Sequence, residues 1–583
     1  MIRCSFAIFR ARMRKITRLR FRRFRDHLSS YDAIAAYSLL GLMSGTLSAF
    51  AVLGFFWGIQ ALGSLLGSSA NAEGFEALSI PHRVGLATGG ALAIAFILHA
   101  LKEPSRSTGI RHVIHHLNSH YGQLPLRNAL TQTIVGIIGL ASGQSGGREG
   151  PGVHIGATVS SALGQRFRLP NNSLRILVAC GTAASISAAF NTPLAGVIFA
   201  MEVILAEYTV VGFIPVLVAA ATASVITQWF GNTEAIFAAP QAHLQSLAEL
   251  PLIVLLGIAC GAAAACITAS VKRLEPVLQW PIWLRFGLAG LTTGCIAAFI
   301  PEVMGMGTDT VAILLSGQVT LIFLVLLALA KIATTSLTAG VGMPVGTIGP
   351  SLFIGATIGA LVGDLGALAI PEMSSEHSLY AVVGMATTMG VMINAPLAGI
   401  LAAVELTRNL QTTMPALICM VAGTIVFTSV LRQRSIYQIL ETVDESSQRN
   451  PLLRLLHSTH VSACWSTQFT ALEADQPATQ EEFAMIEAPW CIITRHGEPS
   501  YIVKTQDLLQ KVIEREDLSV SDLDVRRFSY VTLDDTASVK RVKDVLSNNN
   551  AEIALIQDQT GQVIAGVWSN DIEKLINRAA RNG

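Results

Sequence analysis

Asn191-Thr-Pro-Leu-Ala-Gly-Val-Ile-Phe-Ala-Met-Glu202 recurs as Asn394-Ala-Pro-Leu-Ala-Gly-Ile-Leu-Ala-Ala-Val-Glu405, with Asn, Pro, Leu, Ala, Gly and Glu kept at the same spacing. Upstream of each copy stands a matching loop, Gly147-Arg-Glu-Gly-Pro151 and Gly346-Thr-Ile-Gly-Pro350, so the duplicated unit is a whole half-domain. Apolar stretches surround both copies, at about 36-65, 84-101, 129-145, 174-190, 193-231, 251-271, 283-300, 319-343, 351-370, 379-407 and 412-431. Some are of spanning length; others, broken by Gly and Pro, are too short to cross a core of ~30 Å. Duplicated halves with interrupted segments are the sequence sign of a transporter-type core, its site at the repeat interface near the midplane. Lipid cannot satisfy the backbone groups freed at such breaks, so broken helices must line a protein-buried cavity or an aqueous path.

Composition agrees with this reading. The 583 residues are 51% hydrophobic and 14% charged, with mean hydropathy +0.52, too apolar for a soluble enzyme. A net charge of +1 excludes a globally basic nucleic-acid binder. Residues 31-440 hold 32 charged residues, whereas the much shorter 441-583 holds 36, so a soluble region follows the membrane region. Three domains are expected: a basic amphipathic N-terminus over 1-34, a transmembrane domain over 35-440 and a cytoplasmic domain over 441-583. Ten of the first 30 residues are Arg or Lys, interleaved with Phe, Ile and Leu. That pattern places the N-terminus in the cytoplasm and lays it on anionic lipid rather than nucleic acid. The eight cysteines include no CxxC pair, so neither a disulfide framework nor a zinc site is expected.

In the C-terminal region apolar runs at strand period alternate with helical stretches at about 505-515, 536-548 and 570-580. This predicts an α+β module. Its end, from Asp535 to Asp571, resembles a CBS motif, and a weaker copy runs to Asp507, which implies a CBS pair with a regulatory role. Adenine nucleotide is the one candidate cofactor, but Lys504 and Trp568 stand three residues before Asp507 and Asp571, where such motifs carry the threonine of the nucleotide signature.

Gly147-Arg148-Glu149-Gly150-Pro151-Gly152 opens a helix inside the membrane region, and unpaired N–H groups at such a start, with the helix dipole, make an anion site. Glu149 competes for that site: ionised it plugs the place of a permeant anion, protonated or swung away it vacates it. Here the chain resembles the CLC chloride channels and proton/chloride exchangers, over roughly residues 35-440, with the CBS pair completing the longer architecture. The resemblance implies an all-α polytopic core, internally duplicated in the inverted-repeat manner with broken helices, followed by the α+β CBS pair. It makes Glu149 the gating glutamate and counts Arg148 and Gly150 among the anion-binding residues. It sets the Thr347 and Ile348 amides, the Tyr437 hydroxyl, and the Thr108-Gly109-Ile110 helix start around a central chloride. Ser107 and Arg111 depart from the family's GSGIP, while Thr108 keeps the hydroxyl that suits chloride over nitrate. A homodimer is implied, with a complete pathway in each subunit, in the inner (plasma) membrane with both termini cytoplasmic.

In the family's exchangers a second glutamate, immediately after the one matching Glu202, relays protons to the gate; here it is Val203. Valine carries no proton, which favours a passive chloride channel. The alternative is a proton-coupled antiporter using another route, for which Glu202 and Glu207 are the nearby candidates. A polytopic membrane enzyme with Glu149 as general base is the remote alternative; no nucleophile with its base is in view, so no enzyme is expected. His112, His116 and His120 share one helical face, without an acidic or cysteine partner in that segment, and no metal is assigned to them.

Overall fold

The computed structural model describes residues 34–67, 74–102, 105–230, 237, 242–317, 319–369, 377–439, 456, 459–477, 479, 483–495, 498–514, 519–558 and 561–582. The basic segment expected over 1-34 lies outside them but for its last residue. Two compact units are present, one of Tyr31–Phe167 with Leu174–Thr442, the other of Val443–Gly583 with Arg168–Ser173.

The helices of the first unit fall into two matching series. The first runs α1 (Ile34–Leu65), α2 (Ile80–Ala100), α3 (Gly109–Ser119), α4 (Leu126–Ala141), α5 (Glu149–Arg166), α6 (Asn171–Phe190), α7 (Pro193–Phe199) and α8 (Val210–Trp229). The second runs α9 (Leu250–Arg273), α10 (Ile282–Ala297), α11 (Thr308–Leu315), α12 (Leu321–Gly340), α13 (Ile348–Ala369), α14 (His377–Ile393), α15 (Pro396–Thr407) and α16 (Thr413–Thr424). Among the described residues, eight helices are long and apolar enough to cross a membrane. Helix α3, with 11 residues, rises only about 16 Å, too little to span a membrane. Large apolar side chains such as Phe96 and Ile322, both three-quarters exposed, cover the outward faces, as a lipid-facing helix requires.

The repeated string builds the same local structure twice. Asn191 and Asn394 take left-handed backbones, φ 55 and 57, which asparagine tolerates and which stop α6 and α14. Pro193 and Pro396 then open α7 and α15 at the first turn, where a missing N–H costs nothing. The apolar run 379-407 is therefore two helices, and 193-231 breaks likewise at Ala206, φ 54, after a π-helical turn over Ala200–Leu205. Hydropathy averages over both breaks, since the few polar residues there, Asn394 and Glu207-Tyr208-Thr209, lie between long apolar runs. Close crossings are also shared: a Cβ on Gly156 would stand 2.7 Å from the Gly181 carbonyl oxygen, and one on Gly355 2.2 Å from that of Gly384. Only glycine lets α5 meet α6, and α13 meet α14, backbone to backbone.

The halves bind each other reciprocally. Both oxygens of Glu405 accept from the first turn of α7, at Leu194 (3.0 Å) and Ala195 (2.8 Å). Both oxygens of Glu202 accept from the first turn of α15, at Leu397 (3.4 Å) and Ala398 (3.0 Å). Gly147 and Gly346 each donate an amide to the other's carbonyl at 2.8 Å. Exchanged contacts of this kind relate two halves by a two-fold axis, and they satisfy helix-start N–H groups that would otherwise be orphaned.

In the second unit, β1 (Phe469–Glu473), β2 (Trp490–Arg495) and β3 (Glu498–Lys504) form one sheet, closed by α17 (Thr505–Glu514). A second sheet holds β4 (Tyr530–Asp534), β5 (Ile553–Gln557) and β6 (Val563–Trp568), with α18 (Val539–Asn548) between β4 and β5 and α19 (Ser569–Asn582) at the end. In both sheets the first pair is parallel and the second antiparallel, so this module too is duplicated.

Candidate functional site

Glu149 is fully buried at the start of α5, yet its carboxylate leaves its own helix and sits on the start of α13. Oε1 accepts from Ile348 N (2.6 Å) and Gly349 N (3.2 Å), while Oε2 has no hydrogen-bond partner among the described residues. The two donors to the carboxylate are thus Ile348 and Gly349; the Thr347 amide, expected at the central anion, is not one of them. The glycines around it make the space: a Cβ on Gly147 or Gly346 would come within 2.0 or 2.2 Å of the Glu149 carboxylate oxygens. A Cβ on Gly150 would lie 2.8 Å from Gly346 Cα, so Gly150 serves the close approach of the two loops. The Arg148 guanidinium lies over the rings of Phe56 (4.9 Å) and Phe190 (5.3 Å).

Two further elements converge on this place. The buried Tyr437 hydroxyl faces Thr347, Glu149 and Arg111. Its loop is anchored to the end of α14 by Ile436 N to Met392 O (3.1 Å) and Ser435 Oγ to Ile393 O (2.9 Å). Thr108 caps the start of α3 with an extended backbone, and Ile110 packs into the main core. Gly109, φ +80, corrects the sequence reading: its amide, expected to face the anion, donates to His154 Nδ1 on α5 at 3.3 Å. No motif signals this bond, because a single histidine separated by 45 residues from its partner has no spacing to recognise.

The histidines of α3 form a line of rings: His120 to His116, 4.4 Å between centroids, and His116 to His112, 4.1 Å. His154 continues it at 4.9 Å from His112. Among the described residues no three His, Cys, Asp or Glu converge in a way that could hold a metal ion.

The carboxylates considered for proton passage are otherwise engaged. Glu202 spends both oxygens on α15, and its two-fold counterpart Glu405 does the same on α7. Glu207 pairs with Arg175 at 3.9 Å, and Arg175 also donates to the Leu117 carbonyl near the end of α3. Val203 lies in the π-helical turn and packs against the main core.

In the C-terminal module the cleft between the two sheets is closed by the chain itself. Trp490 of β2 and Trp568 of β6 stack at 3.6 Å and 22°, and the Lys504 ammonium lies 5.7 Å from the Trp490 ring. Ile492, Ile502, Phe528, Ile553 and Leu555 pack beneath them. The adenine candidate therefore meets a filled cleft; the altered residue Trp568 is the one that fills it.

Comparison with known proteins places this geometry. The family described as voltage gated chloride channel matches residues 89–428. A ClcB-like chloride channel protein of Ralstonia nicotianae is 33% identical over 309 residues, 52% of this chain and 72% of that protein. The H(+)/Cl(-) exchange transporter ClcA of Vibrio cholerae is 28% identical over 358 residues, 59% of this chain and 76% of that protein. The crystal structure of a eukaryotic CLC transporter is similar in fold, with TM-score 0.56 and 18% identity over 92% of this chain and 97% of the other.

Proposed function

We propose, from the premise that this chain belongs to the voltage-gated chloride channel family, that it moves chloride across the membrane through a pathway gated by Glu149. The observation that carries the reading is the Glu149 carboxylate seated on the Ile348 and Gly349 amides. A carboxylate and a chloride ask the same of a helix start, namely N–H donors in a low-dielectric site. Withdrawing Glu149 leaves those donors open to the anion, with the Tyr437 and Thr108 hydroxyls on its other side. Transport is the action this reading assigns, since amide donors at a buried helix start suit a passing anion.

At residue 203 the reading is a passive channel. Valine cannot relay a proton, Glu202 is held by two backbone amides and Glu207 by Arg175. The second reading, proton-coupled exchange, takes its support from the ClcA likeness and from the histidine line on α3. The C-terminal module is read as a regulatory CBS pair, both chain ends as cytoplasmic, and the assembly as a homodimer in the inner membrane.

The test is flux from chloride-loaded vesicles together with reversal potential under opposed chloride and pH gradients. Wild-type protein should release chloride, Glu149→Gln or Glu149→Ala should change the rate, and the reversal potential should follow the chloride gradient alone. No chloride flux rejects the function. A reversal potential that shifts with the pH gradient in fixed proportion rejects the channel and keeps the transporter.

A further inference from the structure

We propose that His154 is a proton-operated latch on the anion loop: neutral, it holds the Gly109 amide; protonated on Nδ1, it releases that N–H to the anion. The inference rests on the reading of the Glu149 site as a chloride site and names how that site is regulated.

The latch follows from valence. Gly109 N–H donates to Nδ1, so neutral His154 has its lone pair there and its own proton on Nε2. Nε2 is buried and has no partner among the described residues. A second proton can bind only at Nδ1, and an Nδ1–H cannot accept a hydrogen bond. The Gly109 amide is then unpaired at the start of α3, beside Thr108, with the helix dipole behind it. An anion is the partner that such a group and an adjacent imidazolium both favour. In the step one N–H bond forms on His154, one hydrogen bond breaks, and the added positive charge is matched by the incoming negative one. When the anion leaves, the proton is lost from Nδ1 and the hydrogen bond from Gly109 forms again.

His154 is fully buried, and the histidine rings beside it run from it towards solvent. His120 is exposed, His116 and His115 are half-buried, and His112 and His154 are buried. Successive centroids lie 4.4, 4.1 and 4.9 Å apart, with His115 alongside at 5.7 Å from both His116 and His120. His116 Nδ1 lies 3.3 Å from the His112 carbonyl oxygen and donates to it when neutral, which leaves Nε2 as its free acceptor.

The charged and titratable groups around His154 are few. From α3 they are His112 and His116, with Arg111 turned to Tyr437. Its own helix brings Glu149, engaged on α13, and Arg148, over two aromatic rings. Helix α1 offers the Ser44 and Ser48 hydroxyls, both bonded to α5, and α4 the Gln132 amide, bonded to Pro344 O. Arg175 of α6 reaches α3 only at Leu117 O and pairs with Glu207.

The experiment measures chloride binding to the purified full chain by calorimetry, from about pH 5 to pH 8, in two buffers of different ionisation heat. A Glu149→Gln background removes the gate's own proton. Chloride should bind with proton uptake and about fivefold or more tighter at the acid end, the lower bound of ordinary coupling between two sites. His154→Asn keeps an acceptor near the place of Nδ1 but carries no charge, so affinity should stay low and flat with pH. His154→Leu leaves Gly109 without an acceptor, so affinity should be high and flat. Chloride binding without proton uptake overturns the latch while the site stands, and it needs no His154 variant to fold. Wild-type pH slopes in both His154 variants also overturn it. Absence of chloride binding rejects the latch and the site together.

Discussion

Around Glu149 stand backbone amides and the Tyr437 phenol, and the proposed chloride site adds the Thr108 hydroxyl. A hydrogen bond to an ion is worth about 1.5–3 kcal/mol, so Tyr437→Phe or Thr108→Ala should each weaken chloride binding by roughly ten- to a hundredfold. Unchanged affinity in both variants would remove these residues from the site. The Glu149 position was legible in the sequence because Gly-Arg-Glu-Gly-Pro is contiguous and each of its residues answers a local need of a helix start. Gly349 was not legible, since an amide has no side chain to read and its role depends on which way the carboxylate swings. Nor was His154, whose partner is brought to it by the packing of α3 on α5 and by no feature of its own segment.

Secondary elements show the same division. The strings ending in Glu202 and Glu405 announced a duplication, and each forms a short Pro-opened helix, α7 and α15. What the terminal glutamates do could not be read, because each caps a helix in the other half rather than its own. Glu202→Gln and Glu405→Gln each replace one accepting oxygen by a donor facing an N–H. Each should therefore destabilise the protein by about 1–3 kcal/mol, the cost of leaving a buried donor unsatisfied. The two-fold relation demands similar costs. Thermal unfolding in detergent measures them, and a melting temperature that falls for one variant alone would contradict the symmetric role. In the C-terminal module, burial first and then the nearby Asp571 push the Cys464 thiol up to about 12, so almost no thiolate is present at neutral pH. Maleimide should label Cys464 slowly in the native protein and rapidly once the module is unfolded. Fast native labelling would place the thiol in water.

At the scale of the whole chain, apolar composition and duplication told of a membrane transporter, and the charge step near residue 441 told of a second module. The cleft plugged by Trp490 and Trp568 predicts that ATP does not raise the melting temperature of the wild-type protein, whereas Trp568→Thr should open space for a base. A clear ATP-induced rise in the wild type would show that the tryptophans part. The exchanged caps have one more consequence, for how the protein is made. Leu194 N–H waits for an oxygen 211 residues further along the chain, and at about 5–20 residues per second that is roughly 10–40 s of synthesis. Throughout that interval the first half lies in the bilayer with bare amides at α7 and an unmatched edge at Gly147. Nascent chains stalled before residue 405 are then the form that quality-control proteases should meet, and separately translated halves should survive only when each has the other to close it.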